Sequence, residues 1–196
     1  MMKCEIIRDL IPLYLDKVCS EDSRKLVEEH LAECSECRKY MKELELYLHI
    51  PFCKTRCIYC DFYSTTRSEL KTRYVRALCR ELAMRKDYLK GEDIETVYFG
   101  GGTPSQLEKE DFEQIFDTIR THYGLSHWQE ITLEANPDDL TSEYLKMLSS
   151  LPFNRISMGI QTFDDPTLKL LKRRHNARTA IEAVHRCREA GFQNIS

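Results

Sequence analysis

The sequence predicts an α/β protein whose main part is a parallel sheet, preceded by a small helical module. From Leu46 onward, strand patterns alternate with helix patterns, and repeated βα units imply parallel strands joined by right-handed crossovers. Before that point the pattern is helical only and dense in charge. With 196 residues the chain can bury a core without disulfides, so its 9 cysteines need another explanation.

Composition and charge exclude several classes of protein. The 29 basic and 32 acidic side chains give a net charge of −3, which argues against a dedicated nucleic-acid binder. Charges are scattered through the first residues, where a signal peptide needs an apolar run, and no later stretch is apolar enough to span a membrane. We therefore expect a cytoplasmic protein. Thiols stay reduced there, so closely spaced cysteines are better interpreted as metal ligands than as disulfides.

Three short helices are predicted within residues 1–45. Apolar residues at helical spacing from Ile6 to Leu13 indicate the first, which Pro12 should kink or shorten. Ser20 is a suitable N-cap for the second helix, and Ser35 for a third that runs to about Glu43. Three short helices bury little apolar surface, so a bound metal would help to stabilise them.

The remaining elements alternate regularly along residues 46–196. Strands are predicted at 46–50, 96–99, 130–134, 155–160 and from 193 onward. Helices are predicted at about 67–88, 108–122, 141–149, 165–172 and 177–190, with Gly191 ending the last one. Cys79 and Cys187 lie on the apolar stripes of two of these helices, which predicts that both are core residues.

Unusual residues follow four of the predicted strands. A cysteine loop follows the first strand, the run Gly100-Gly101-Gly102 the second, Glu134 with an Asn-Pro pair the third, and Gln161 the fourth. In barrels and open sheets of parallel strands, functional sites form at the carboxyl ends of the strands. We therefore expect these residues to share one site.

The cysteine loop has the spacing C-x3-C-x2-C, formed by Cys53, Cys57 and Cys60. Three thiolates can bind three irons of a [4Fe–4S] cluster and leave the fourth iron open to another ligand. A structural zinc would need a fourth local ligand, and the nearest, His49, belongs to the preceding strand. We expect an iron–sulfur cluster rather than zinc or unligated thiols.

Five motifs together resemble the radical S-adenosylmethionine (SAM) superfamily. They are the stretch leading into the cysteine loop, the loop itself, the glycine run and the two strand ends: 47–53, 53–60, 100–104, 133–137 and 155–161. Within the superfamily, residues 46–196 resemble the family of oxygen-independent coproporphyrinogen III oxidases and HemW heme chaperones. The resemblance implies a partial (βα)6 barrel, here truncated after about four and a half βα units.

The resemblance also implies cofactors and the residues that bind them. Cys53, Cys57 and Cys60 would ligate the [4Fe–4S] cluster, and the open iron would chelate SAM. The residues that would contact SAM are Tyr47, Gly101, Gly102, Thr103, Glu134, Gln161 and Arg173. An electron from the cluster would cleave SAM, while the protein supplies binding and orientation. No catalytic side chain is assigned.

One position separates the members of this family. The decarboxylating oxidases have a further cysteine two residues after the third cluster ligand, whereas this chain has Phe62, as the heme chaperones do. The expected function is therefore heme or porphyrin handling, with heme chaperone favoured over oxidase. SAM cleavage stays open, and heme is a further expected ligand.

The N-terminal segment has a resemblance of its own. Residues 4–41 are similar to the zinc-binding anti-sigma factor module, through Cys4, His30, Cys34 and Cys37. His30 and Cys34 are one helical turn apart, and Cys4 from the first helix would complete a tetrahedral Cys3His site. The resemblance implies a protein partner similar to a sigma factor. The alternative is a helical hairpin with surface thiols and no metal.

Three functional hypotheses remain. The first is a cluster- and SAM-binding protein of heme or porphyrin handling, with its zinc module at residues 1–45. The second is a zinc-dependent protein-interaction module attached to an inactive truncated barrel, and the third is a cluster binder that never cleaves SAM. In the segment 172–175, we expect a solvated loop except at Arg173.

Overall fold

The computed structural model describes residues 4–15, 19–37, 44–88, 94–123 and 128–196. The chain divides into two compact units, residues 1–44 and 45–196. Among the described residues, no helix combines the length and the apolar character needed to cross a membrane.

The first unit contains two helices, α1 (Cys4–Leu15) and α2 (Glu21–Glu33), followed by a helical turn at 35–37. Ser20 caps α2 as predicted, since its Oγ accepts a hydrogen bond from the Ser23 N–H at 3.2 Å. α1 continues through position 12, so the expected shortening does not occur. The rest of the predicted third helix lies outside the described residues. The buried core of this unit consists of Ile7, Ile11, Val27, Leu31 and Cys37.

The second unit is built on a five-stranded sheet in the order β1-β2-β3-β4-β5. Its strands are β1 (Leu44–Ile50), β2 (Ile94–Gly101), β3 (Glu130–Ala135), β4 (Arg155–Met158) and β5 (Asn194–Ile195). The registered pairs β2/β3, β3/β4 and β4/β5 are all parallel. The helices between the strands are α3 (Lys71–Met84), α4 (Lys109–Tyr123), α5 (Ser142–Leu148), α6 (Asp165–Leu170) and α7 (Ala177–Glu189). The predicted α/β fold with a parallel sheet is confirmed.

The two faces of the sheet differ in polarity because side chains alternate along each strand. On one face, Val97, Phe99, Leu133 and Ile156 are buried in a core shared with apolar side chains of α3, α4, α5 and α7. Cys79 and Cys187 belong to this core, as predicted. The other face carries Tyr47, Tyr98, Glu134 and Ser157, which are all partly or well exposed. Polar side chains are therefore available on the face opposite the helices.

Two residues with positive φ lie shortly after the ends of α7 and β4. Gly191 has φ +97° and its N–H bonds the Arg188 carbonyl, which confirms it as the residue that ends α7. β4 stops at Met158, two residues before the predicted end, and Gln161 then adopts φ +71°. A left-handed residue cannot continue a strand, so the chain turns at the edge where the other motifs lie.

Candidate functional site

A cavity of about 280 Å³ lies at the carboxyl ends of the strands. Nearly all the residues expected there line it: Cys53, Cys57, Cys60, Gly101, Gly102, Thr103, Glu134, Gln161 and Arg173. They come from the ends of β1 to β4 and from the segment between α6 and α7. Residues far apart in the sequence thus meet at one edge of the sheet.

Tyr47 is the one expected site residue that does not line this cavity. Its ring stacks on that of Tyr98 with centroids 5.9 Å apart, and its side chain is half exposed on the polar face of the sheet. The Tyr47 hydroxyl lies 3.4 Å from His49 Nδ1. A role for Tyr47 beside SAM stays a prediction.

The cysteine loop is held closed at its base. Phe52 and Thr65 form a parallel β-bridge, the Cys53 N–H donates to the Thr65 carbonyl at 2.9 Å, and the Thr65 N–H donates to the Pro51 carbonyl at 2.7 Å. Within the loop, the Cys60 N–H donates to the Cys57 carbonyl at 3.3 Å. Residues 53–64 therefore form a compact loop whose ends meet.

Two of the loop thiols receive hydrogen bonds from outside the loop, one from the end of β2 and one from the segment between α6 and α7. Thr103 Oγ1 donates to Cys53 Sγ at 3.4 Å, and Arg173 Nη1 donates to Cys57 Sγ at 3.4 Å. Burial raises the pKa of Cys53, and the hydrogen bond from Thr103 opposes that rise. Hydrogen bonds to a sulfur ligand stabilise its thiolate form, which is the form that binds iron.

The three loop thiols do not form a compact group of ligand atoms like that of a single metal ion. Among the described residues, only Cys4, His30, Cys34 and Cys37 bring three or more ligand atoms within 4.8 Å of one another. The three loop sulfurs are thus spread more widely than the ligands of one zinc, which lie about 3.8 Å apart when Zn–S bonds are about 2.3 Å. Thiolates that bind different irons of one cluster stand farther apart.

One hydrogen-bond donor of Arg173 has no acceptor among the described residues. Its Nη2 donates to Asn136 Oδ1 and to the Gly159 carbonyl, and its Nε is buried without a partner. A buried donor without a partner is rare, and a guanidinium favours carboxylate acceptors. Arg173 is therefore suited to the carboxylate of a ligand such as SAM.

Glu134 is held in place from both sides. Tyr98 Oη donates to Glu134 Oε1 at 2.8 Å, and the Gly101 N–H donates to Oε2 at 3.1 Å. Burial, together with the hydrogen bond to Glu134, raises the pKa of Tyr98 to about 12, so this hydroxyl stays protonated at physiological pH. A carboxylate fixed in this way can accept a hydrogen bond from an amino group in the cavity.

The glycine run packs so closely against the end of β1 that side chains would not fit there. Gly101 has φ +108°, and a Cβ there would lie 2.6 Å from the His49 ring. A Cβ at Gly102 would lie 2.8 Å from the Pro51 carbonyl carbon. The Gly102 N–H also donates to the Ile50 carbonyl at 2.8 Å. Side chains at these positions would push the glycine run away from the end of β1.

The segment 172–175 corrects one expectation. Arg174 is not solvated: it forms ion pairs with Asp138 at 2.8 Å and Asp139 at 3.0 Å. His175 is buried, with Nε2 3.1 Å from the Ile160 carbonyl. Sequence reasoning missed both because their partners lie on other loops, and Asp139 gave no signal beyond its place after the Asn-Pro pair.

The first unit contains a separate group of metal ligands. The ligand atoms of Cys4, His30, Cys34 and Cys37 all lie within 4.8 Å of one another, with Cys4 Sγ 3.8 Å from Cys34 Sγ and His30 Nε2 3.3 Å from Cys37 Sγ. A hydrogen bond from the Cys37 backbone lowers the pKa of Cys34 to about 7, whereas burial raises that of Cys37 to about 11. Three sulfurs and one imidazole at these distances fit a tetrahedral zinc site.

Sequence profiles match both units. The profile of the radical SAM superfamily matches residues 47–196, and a zinc-finger profile matches residues 4–38. The zinc-finger match coincides with the four ligands of the first unit.

Similar proteins agree with the superfamily match. The heme chaperone HemW of Bacillus subtilis is 40% identical over 76% of this chain and 40% of its own length. The oxygen-independent coproporphyrinogen-III oxidase-like protein HemZ of the same organism is 32% identical over 88% of this chain and 36% of its own. The solved structure of coproporphyrinogen III oxidase HemN from Escherichia coli, described as a radical SAM enzyme, matches with a TM-score of 0.70 and 29% identity, over 77% of this chain and 35% of that one.

The chain spans about 40% of the length of the curated relatives that it matches. Membership of the superfamily implies SAM and a [4Fe–4S] cluster as cofactors, and the three cysteines of the C-x3-C-x2-C loop line the cavity. The chain belongs to the radical SAM superfamily.

Proposed function

We propose that residues 46–196 hold a [4Fe–4S] cluster on Cys53, Cys57 and Cys60 and bind SAM in the adjoining cavity. The observation that carries this proposal is the meeting of the three thiols with Thr103 and Arg173 in one cavity. When bound and reduced, the cluster supplies one electron for the cleavage of SAM.

The residues around the cavity would bind and orient SAM. Arg173, which lines the cavity, would donate to the SAM carboxylate, and Glu134, fixed by Tyr98, would accept a hydrogen bond from its amino group. Gly101 and Gly102 leave room for the ligand to approach the backbone. Gln161, whose left-handed conformation turns the chain at the cavity, would make a further polar contact.

We further propose that the protein acts in heme or porphyrin handling in the cytoplasm, as a heme chaperone rather than a decarboxylating oxidase. The named relatives include heme chaperones and an oxidase-like protein, so they support the broader statement equally. Phe62 favours the chaperone, because it occupies the position where the oxidases have an additional cysteine. Its side chain lines the cavity and is 63% exposed, so it offers an apolar surface there instead of a thiol.

Anaerobic reconstitution of the full chain, followed by iron, sulfide and zinc analysis, tests the cofactor proposal. About four irons and four sulfides per chain are expected. Production of 5′-deoxyadenosine under reducing conditions then distinguishes SAM cleavage from cluster binding alone. Saturable heme binding without decarboxylation of coproporphyrinogen III supports the chaperone, and decarboxylation would contradict it. Zinc in place of iron at the three thiols would overturn the cluster assignment.

A second function is favoured by the ligand group of the first unit. We propose that residues 1–45 form a zinc module that binds a protein partner similar to a sigma factor. The support is the proximity of Cys4, His30, Cys34 and Cys37, whose ligand atoms all lie within 4.8 Å of one another. Binding of a purified sigma factor to the full chain should require zinc and should be lost when zinc is chelated. Binding that is unchanged without zinc, or absent with it, would contradict this role.

A further inference from the structure

One buried carboxylate connects the loops that form the cavity. The side chain of Asp139 is only 2% exposed, and it lies on the turn that follows β3. Its Oδ1 accepts from Lys54 Nζ at 2.8 Å, and its Oδ2 accepts from Ser105 Oγ and Gln106 Nε2, both at 2.9 Å. Arg174 Nη2 donates to both oxygens at 3.0 to 3.1 Å.

The four donors belong to three different parts of the site. Lys54 follows Cys53 directly in the cysteine loop. Ser105 and Gln106 follow Thr103, whose hydroxyl donates to Cys53 Sγ. Arg174 follows Arg173, whose guanidinium donates to Cys57 Sγ. Each partner of Asp139 is therefore adjacent to, or within three residues of, a side chain that carries or contacts a loop thiol.

Burial makes this arrangement cooperative. A carboxylate out of water is strongly disfavoured unless it is paired and its oxygens accept hydrogen bonds. Asp139 satisfies that requirement only when all three segments converge on it, so each bond favours the geometry that the others need. Asp139 does not line the cavity, so the network acts on the site through the loops.

We propose that Asp139 is a positioning residue that fixes the cysteine loop and Arg173 relative to each other in the cluster and SAM site. This inference rests on the proposed function. Lys54 transmits the constraint to Cys53, and Arg174 transmits it to Arg173. A network of this kind keeps the loop thiols and the carboxylate-binding guanidinium in register without touching a ligand.

Two substitutions distinguish the loss of the Asp139 carboxylate from the loss of its link to the cysteine loop alone. Asp139→Asn keeps the shape but leaves the Lys54 cation without its counter-charge and Arg174 with Asp138 alone. Lys54→Gln removes only the link to the cysteine loop, and since Lys54 is 55% exposed its loss does not open the core. Asp138→Asn is the matched control: Asp138 pairs with Arg174 at 2.8 Å, whereas Lys54, Ser105 and Gln106 donate to Asp139.

The experiment uses the full chain after anaerobic reconstitution. The first measurement is the rate at which an iron chelator removes the cluster. The second is the SAM concentration for half-saturation, followed by the change that SAM causes in the electron paramagnetic resonance spectrum of the reduced cluster. Asp139→Asn should raise both by at least tenfold. Lys54→Gln should raise the rate of cluster loss by at least threefold, while its SAM concentration for half-saturation stays within twofold of wild type. For Asp138→Asn, the rate of cluster loss and the SAM concentration should both stay within twofold of wild type. Thermal unfolding of the apo chains identifies a variant that fails to fold.

The outcomes are distinct. If Asp139→Asn matches wild type in both measurements, or if Asp138→Asn is affected as strongly, the positioning role is wrong. If Asp139→Asn does not fold, Lys54→Gln decides: cluster loss at the wild-type rate would overturn the inference. A wild-type chain that takes up no cluster would overturn the proposed function itself, and this inference with it.

Discussion

Substitution of Gly102 by alanine tests how closely the glycine run packs against the cysteine loop. The new Cβ would lie 2.8 Å from the Pro51 carbonyl carbon, 2.9 Å from the Ile50 oxygen and 3.0 Å from the Pro51 oxygen. Favourable carbon contacts begin at about 3.5 Å, so the overlap is about 0.5 to 0.7 Å with three atoms at once. All three are backbone atoms, and no side chain can rotate away to relieve the overlap.

The expected cost follows from this overlap. Overpacking of a dense interior costs about 1 to 3 kcal/mol, and we expect the upper end because backbone must move. For a chain of this length, about 3 kcal/mol corresponds to a fall in Tm of about 6 to 12 °C. Two of the three displaced atoms form the carbonyl of Pro51, which accepts the Thr65 N–H that closes the cysteine loop. Gly102→Ala should therefore also speed up cluster loss.

Gly191→Ala is the matched control for this experiment. A Cβ at Gly191 meets nothing within 4 Å, although its φ of +97° makes alanine unfavourable by about 1 to 2 kcal/mol. This variant should lose a few degrees of Tm but keep the wild-type rate of cluster loss. Differential scanning calorimetry and chelator challenge measure the two effects. A Gly102→Ala chain with wild-type Tm and wild-type cluster loss would refute the close packing of Gly102 against Ile50 and Pro51.

Three further outcomes are expected. Tyr98→Phe should raise the SAM concentration for half-saturation severalfold, because Glu134 loses the 2.8 Å bond that fixes it; unchanged SAM binding would show that Glu134 needs no such support. Cys34→Ser should reduce bound zinc from about one per chain to near zero, whereas Cys19→Ser, outside the ligand group, should keep it; zinc retained by Cys34→Ser would remove Cys34 from the site. Burial lowers the pKa of His175 below its ordinary value of 6.5. Below pH 6.5 the unfolded chain therefore binds a proton at this residue more readily than the folded chain does. The free energy of unfolding should fall as the pH falls below 6.5, by at most about 1.4 kcal/mol per pH unit. Urea unfolding at pH 7.5 and pH 5.5 measures that loss, and an equal loss in His175→Asn would assign it to other groups.

The elements and the strand-end site could be predicted because they depend on local patterns. Alternating apolar residues give the strands, and the turn chemistry of the glycine run and the Asn-Pro pair marks where β2 and β3 end. Parallel strands bring their carboxyl ends to one edge, so the sequence alone places Cys53, Glu134 and Gln161 together, and all three line the cavity.

Contacts between distant loops could not be predicted. Asp139 and Lys54 are 85 positions apart, and no periodicity relates them. The buried state of Arg174 follows from its pairing with Asp138 and Asp139, whereas its sequence neighbours suggest only a charged loop. Tyr47 shares the polar face of the sheet with Glu134, but its ring stacks on Tyr98 and does not line the cavity. Such contacts depend on the assembled fold rather than on local propensity.

The central claim is that Cys53, Cys57 and Cys60 together hold one [4Fe–4S] cluster, and iron and sulfide counts per chain test it most directly. After anaerobic reconstitution, the wild-type chain and the Cys19→Ser control should each contain about four irons and four sulfides. Serine at any one of the three loop positions should reduce both counts to well below half. Full occupancy in a Cys57→Ser chain, or zinc in place of iron in the wild type, would contradict the account.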